Sequence, residues 1–301
     1  MLLQGEKSRH PTSAIHDQET AEHLAAMSGE FDYIIHPRRN IFDFSLKRLW
    51  ESGELLYFLT WRDFKIRYKQ AIIGAGWAIV KPLLFMLIFV VVFGTFVRVP
   101  TGDVPYSIFV YTGLLPWTFV STVIGTASAS LFTNAPLLTK IYFPRLVLPL
   151  SSSLLALMDL VVSLPILFGF MLWFDMPITW RVLLLPVLLG LMFLLSLGIG
   201  LVMAALHVKY HDVGMLLPLL LQVWMYASPI IYPIQVVSSA WLPIYSLNPL
   251  VGLIQGVRWA LVGEPSPTAG MMISSVVITL VVLVGGVIFF QYAEDTFADV
   301  V

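Results

Sequence analysis

Cationic and aromatic side chains interleave in the decapeptide WRDFKIRYKQ, Trp61–Gln70. Arg62, Lys65, Arg67 and Lys69 could hold an anion: a nucleic-acid phosphate, an acidic calmodulin-type protein, or a lipid headgroup. At about 100° per residue, Tyr57, Trp61, Phe64 and Tyr68 share one stripe. Arg62, Lys65 and Lys69 take the neighbouring flank, with Asp63 and Arg67 on the far side. A nucleic-acid site needs a larger basic surface, and the net charge is −1. A calmodulin-type target fits by pattern alone, but a long apolar run starts a few residues later. The pattern reads best as a helix in the membrane interface, rings at headgroup depth and cations toward phosphates. The bland alternative is a plain anchor.

Asp159 lies in the middle of another apolar run. An ionised Asp at the centre of a spanning helix costs about 2.5–3.5 kcal/mol on insertion scales, so it should face protein or water. It reads either as a channel or gating contact, or as a buried hydrogen bond to a neighbouring helix. One acid without intramembrane cations is poor support for a proton or sodium relay. His207 and His211 are spaced i,i+4, but the six histidines form no metal-ligand pattern, and there is no cysteine. No metal site is expected. There is no P-loop and no H-E-x-x-H, and Gly198 and Gly200 lack the strand context of a dinucleotide site. Aromatic residues, among them Tyr106, Tyr111, Trp117, Phe119, Trp224, Tyr226, Tyr232, Tyr245 and Trp259, crowd one half of the apolar region. They suit an interface belt or stacking surfaces for sugar rings.

The chain that must position these groups is 58% hydrophobic and 12% charged, against about 25% charged residues in soluble domains. Its N-terminus lacks the basic-then-apolar pattern of a cleaved signal peptide. Residues 1–53 read as a polar cytosolic extension, 54–72 as the amphipathic interface helix, and 73–301 as a transmembrane domain. Six apolar runs approach the roughly 20 residues of a spanning helix: about 76–97, 107–131, 146–174, 182–206, 214–234 and 271–290. The fold class is therefore an all-α membrane protein with six transmembrane helices. Lys and Arg before the first run, at Lys140 and Arg145, and at Lys209 place both termini in the cytosol. The segment 238–265 is too apolar for a free loop and too rich in proline to span. Leu250, Ile254, Val257 and Leu261 recur at helical spacing, with Gln255 and Arg258 off that stripe. Two short helices fit, either dipping into the outer leaflet or lying on the outer surface.

Four stretches in order carry a resemblance: WRDFKIRYKQAIIGAGWAIVKPL, GLLPWTFVSTVIGTASASLFTNAPLLTKIYFPRLVLPLSS, HDVGMLLPLLLQVWMYASPIIYP and NPLVGLIQGVRWALVG. Together, over about residues 38–292, they resemble the permease subunits of ABC-2-type polysaccharide exporters, which serve O-antigen, capsule and teichoic-acid export. The type looks closer to O-antigen exporters. The resemblance implies two protomers, a homodimer, forming a channel. It also implies two copies of a separate ABC ATPase subunit, which would carry ATP and Mg, with no cofactor on this chain and no nucleic-acid partner. It implies a polyprenyl-diphosphate-linked glycan as cargo in a bacterial inner membrane, and outer gate helices at 238–265. Arg62, Lys65, Arg67 and Lys69 become candidates for substrate entry. Trp117, Phe119, Asp159, Trp224, Tyr226 and Tyr232 become candidates for the channel and gate. Leu138, Lys140, Tyr142, Phe143 and Arg145, with His211 and Asp212, match coupling segments for the ATPase subunit. Where the family commonly has Arg-Asp-Val, this chain has His211-Asp212-Val213.

Pro136 suits a first helical position, and Leu137, Leu138, Ile141 and Tyr142 share an apolar face. That face would dock on the ATPase subunit or on the chain's own membrane domain. Rival readings are an ABC-2 exporter of lipids or drugs, a membrane enzyme acting on lipid-linked sugars, and a secondary transporter. The enzyme would need clustered acids or a base in a cleft; the transporter would show inverted repeats and paired intramembrane ions.

Overall fold

The computed structural model describes residues 52–69, 76–138 and 143–294. The expected extension before residue 52, the end of the expected interface helix at 70–72, and Lys140 and Tyr142 lie outside the described residues. Every regular element among the described residues is helical.

Helix α1, Gly53–Lys69, precedes α2, Gly76–Phe89, which continues as a wider π-type turn over Val90–Phe96. Helix α3 is Tyr106–Thr133, α4 the single turn Ala135–Leu138, and α5 Val147–Trp173. A tight 3-10 turn at Trp180–Leu184 leads into α6, Leu185–Lys209. Helix α7 is Val213–Tyr226, α8 Leu242–Tyr245, α9 Pro249–Val262 and α10 Ala269–Glu294. Five segments among the described residues are long and apolar enough to cross a bilayer: Gly76–Phe96, Tyr106–Thr133, Val147–Trp173, Trp180–Lys209 and Ala269–Glu294.

The expected fifth span, 214–234, is shorter than its apolar run. Helix α7 has 14 residues, about 21 Å at 1.5 Å per residue, against roughly 30 Å of hydrocarbon. Pro229 and Pro233 explain the stop. Neither can donate to a helical carbonyl, and the chain turns at Ala227–Ile231 before a short 3-10 segment, Ile234–Val236. Hydropathy had registered the apolar run and not the broken backbone.

Side-chain contacts fix the directions of the helices. Phe119 stacks on Phe193 and Phe132 on His207, so α3 and α6 run the same way. Tyr111 meets Phe170 edge-on, and Thr126 donates to the Ser152 carbonyl, so α5 runs the other way. We call the end where α3 and α6 finish the lower end. There, Leu59 of α1 packs with Leu131, Val147, Leu148, Ala204, Val208 and Phe290. Arg145 donates to the Glu294 carbonyl at 2.6 Å, which ties the last helix to the same end. Both α1 and the end of α10 therefore belong to the lower end. Helix α6 finishes at the lower end, whereas α10 begins at the upper end. The chain between them, 210–268, must make one net passage upward.

Two close backbone approaches hold α6, α9 and α10 together. A Cβ on Gly286 would lie 2.3 Å from the Gly198 carbonyl oxygen, and one on Gly198 would lie 2.7 Å from Leu283 Cα. Small residues permit this approach between apolar helices, where dispersion rather than water expulsion holds the contact. On α9, a Cβ at Gly252 would meet the Ser275 hydroxyl at 2.5 Å and the Met271 carbonyl at 2.6 Å.

The broken segment does form two short helices, α8 and α9. Asn248 caps α9 by accepting from the Leu250 amide at 3.1 Å, Pro249 opens it, and Gly263 at φ 73° ends it. The stripe Leu250, Ile254, Val257 and Leu261 is buried, but so are Gln255 and Arg258. Helix α9 is thus wedged within protein among α3, α6 and α10 rather than laid on the surface.

Candidate functional site

Helix α1 climbs beside α5. Its buried residues are Leu59 and Thr60, near its middle. Eight residues later, about 12 Å further along the helix, Arg67 Nη1 donates to Asp159 Oδ2 at 2.9 Å. The Tyr68 hydroxyl donates to the other oxygen, Asp159 Oδ1. This differs from an interface helix whose cations all turn to headgroups, because a carboxylate in mid-span must find a partner and α1 supplies two donors. The aromatic stripe itself forms as expected. Tyr57–Trp61, Trp61–Phe64 and Phe64–Tyr68 have ring centroids 6.5, 5.3 and 4.6 Å apart.

The other entry candidates separate. Arg62 Nη2 donates to Asp63 at 2.7 Å and to the Asn134 side-chain oxygen at 2.6 Å, which fastens α1 to the end of α3. The Lys65 ammonium sits 5.6 Å from the Trp61 ring centre, a cation–π contact. Lys69 is exposed.

Beside the Arg67–Asp159 pair, and lined in part by it, lies a pocket of about 290 Å³ between α1, α2, α3 and α5. Arg67, Tyr68, Lys81, Asp159, Thr122 and Ser163 supply its polar wall, and Trp77 and Phe119 part of its apolar wall. The wall is built by a proline. Pro82 inside α2 cannot donate back to the Ala78 carbonyl. The Ser163 hydroxyl of α5 sits 2.9 Å from that carbonyl and 2.9 Å from the Asp159 carbonyl. Its single proton can satisfy one of them at a time. Side chains from four helices thereby frame a pocket with a polar wall.

The aromatic channel candidates other than Phe119 sit nearer the other end of the bundle, and most are fastened. Trp117 is buried and meets Trp224 edge-on at 5.9 Å. Trp224 donates to the Asn248 side-chain oxygen at 3.1 Å, and Asn248 donates to Ser228 Oγ at 2.9 Å. Phe119 is buried against Phe193. The Tyr232 hydroxyl lies 3.1 Å from both the Tyr226 carbonyl and the Tyr245 hydroxyl. Burial first, and then the bond with Tyr232, hold the Tyr245 phenol well above its ordinary pKa, so it stays protonated. Tyr226 is 48% exposed.

Sequence reasoning missed Arg258. Its side chain is fully buried. Nη1 donates to the Pro229 carbonyl at 2.6 Å and Nη2 to the Ile230 carbonyl at 2.7 Å. The guanidinium lies 3.7 Å from the centre of the Phe109 ring. Arg258 therefore clips α9 onto the proline-rich turn after α7. The available signal was an arginine inside a helix otherwise flanked by apolar residues.

At the lower end, Leu137, Leu138 and Phe143 pack against the cluster around Leu131, Val147 and Val208. Of the expected apolar face, Leu137 and Leu138 rest on the chain's own membrane domain, and Ile141 and Tyr142 lie outside the described residues. Arg145 is engaged with the end of α10. His211 and Asp212 are exposed, and His211 meets the Phe132 ring edge-on at 5.8 Å. Among the described residues no three His, Asp or Glu side chains are placed to hold a metal ion.

Apolar helices of spanning length packed on one another define a polytopic membrane protein. The model of the ABC-2 type transporter family matches residues 54–262, and this chain belongs to that family. It is 29% identical over 256 residues to the O-antigen export system permease protein RfbA of Myxococcus xanthus, covering 84% of this chain and 98% of that one. Its likeness to the protein of the same name from Klebsiella pneumoniae is 28% over 221 residues, or 71% and 83% of the two chains. The polysialic acid transport protein KpsM of Escherichia coli is 25% identical over 213 residues, 66% of this chain and 78% of that one.

Proposed function

We propose that this chain is the channel-forming subunit of an ATP-driven exporter that moves a polyprenyl-diphosphate-linked polysaccharide, O-antigen in type, out of the cytosol across the inner membrane. The observation that carries this reading is the match to an O-antigen export permease over 98% of that protein's length. The subunit works as a homodimer with two copies of a separate ATPase subunit, and the absence of a P-loop in this sequence agrees with that division of labour. Capsular polysaccharide is the second cargo, favoured by the likeness to a polysialic acid transport protein.

A sixth crossing completes the architecture. The net upward passage of 210–268 supports it, with α7 taking the lower part and the turn at 227–236 the upper. The lower end faces the cytosol, since Arg62, Arg145 and Lys209 gather at it. Helices α8 and α9 then form the outer gate. Deleting the gene in its host tests the function. The expected result is loss of the long glycan from the cell surface and its accumulation on lipid inside, both restored by the intact gene. Normal surface glycan with no internal accumulation would rule the reading out.

A further inference from the structure

We propose that Arg67, Tyr68 and Asp159 form an ionic latch that closes α1 over the pocket, and that a diphosphate headgroup opens it by replacing Asp159 as the partner of Arg67. The proposal rests on the lipid-diphosphate reading of the cargo.

Three observations carry it. The first is how α1 is held. Leu59 and Thr60 anchor its middle, but no residue from Trp61 to Lys69 is buried. Above the Arg62–Asn134 bond, its polar attachment to α5 is the pair of donors on Asp159. Such a segment lacks the apolar burial that would hold it once those bonds exchange, which is the property of an element that moves.

The second is charge. The pocket wall carries Arg67 and Lys81 against the single acid Asp159. One positive charge is left over when the latch is closed. A headgroup bearing two or more negative charges would engage both cations, and arginine offers phosphate the same planar fork it offers a carboxylate. Asp159 would then release the Tyr68 hydroxyl as well and turn to water entering with the headgroup.

The third is size. About 290 Å³ lies just below the roughly 300–1,000 Å³ of ordinary small-molecule sites. It suits a headgroup and not a polymer. The pocket therefore reads the lipid end of the cargo and leaves the sugars to another path.

The chain contains no cysteine, so introduced thiols are unique. Ile66→Cys on α1 and Val161→Cys on α5 are exposed positions outside the latch. Spin labels there report the α1–α5 distance in the full-length protein in nanodiscs. Farnesyl diphosphate should populate a second, longer distance. Farnesol, with the same tail and no charge, should not, and inorganic pyrophosphate tells whether the headgroup suffices alone. Asp159→Asn should show the longer distance without any addition. Arg67→Gln should lower the apparent affinity of the farnesyl diphosphate response at least tenfold. An unchanged distance on adding farnesyl diphosphate to the parent overturns the proposal, whatever Asp159→Asn does. An equal response to farnesol overturns it as well. The gene-deletion experiment stands apart: loss of surface glycan there with no diphosphate response here sinks the latch and leaves the exporter.

Discussion

Replacing Arg258 with Ala should unfasten the upper half of the molecule. The parent side chain is fully buried and donates to two carbonyls, those of Pro229 and Ile230, at 2.6 and 2.7 Å. Neither carbonyl is served by a helix, because the chain turns there. Hydrogen bonds to charged groups contribute about 1.5–3 kcal/mol each, and a desolvated cation–π contact such as that with Phe109 about 2 kcal/mol. Against this stands the desolvation of a guanidinium whose Nε finds no partner. Removing one member of a buried charged arrangement usually costs about 3–5 kcal/mol, and the net loss should fall in that range. Arg258→Lys keeps the charge but not the fork, and should recover less than half of it. The assay is denaturant unfolding of the purified protein in mixed micelles, followed by far-ultraviolet circular dichroism, with glycan export measured alongside. A stability loss under about 1 kcal/mol for Arg258→Ala, with normal export, would refute the clip.

Gly286→Leu should be worse tolerated than Gly285→Leu, because a Cβ at 286 falls 2.3 Å from the Gly198 carbonyl whereas one at 285 meets nothing within 4 Å. Overpacking of this kind costs about 1–3 kcal/mol, read as lost thermal stability in detergent. Leu138→Asp should lower the stability of the isolated chain, since Leu138 packs on its own lower cluster; unchanged stability would mean that the α4 face is reserved for another subunit. Tyr226→Ala should reduce glycan export at normal protein level, whereas Trp117→Ala should reduce the protein level itself, because Trp117 is buried against Trp224 and Tyr226 is exposed. Immunoblotting with surface glycan staining separates the two outcomes.

The sequence by itself determined the class of protein. Six long apolar runs and few charges leave a membrane as the solvent, and five of those runs are helices of spanning length. It also determined local punctuation. Asn248, Pro249 and Gly263 bound α9 because capping, a fixed φ and a left-handed φ are local requirements. The aromatic stripe of α1 follows from helical periodicity alone.

What the tertiary structure decided is which residues meet. The periodicity of α1 put Arg67 on its far side but could not say that α5 lies there, 92 residues away, with Asp159 at the matching height. Helical spacing put Arg258 off the apolar stripe, and only the close packing of α9 against α3 and the turn after α7 made it a buried clip. The fifth run is predominantly apolar, so hydropathy reads it as one span. Its backbone breaks after Tyr226 because prolines at 229 and 233 cannot continue the helix, and the carbonyls left open there are satisfied from a distant helix. Periodicity and composition report what each residue prefers locally; partners far apart in sequence are fixed by the packing of whole helices, which no local window contains.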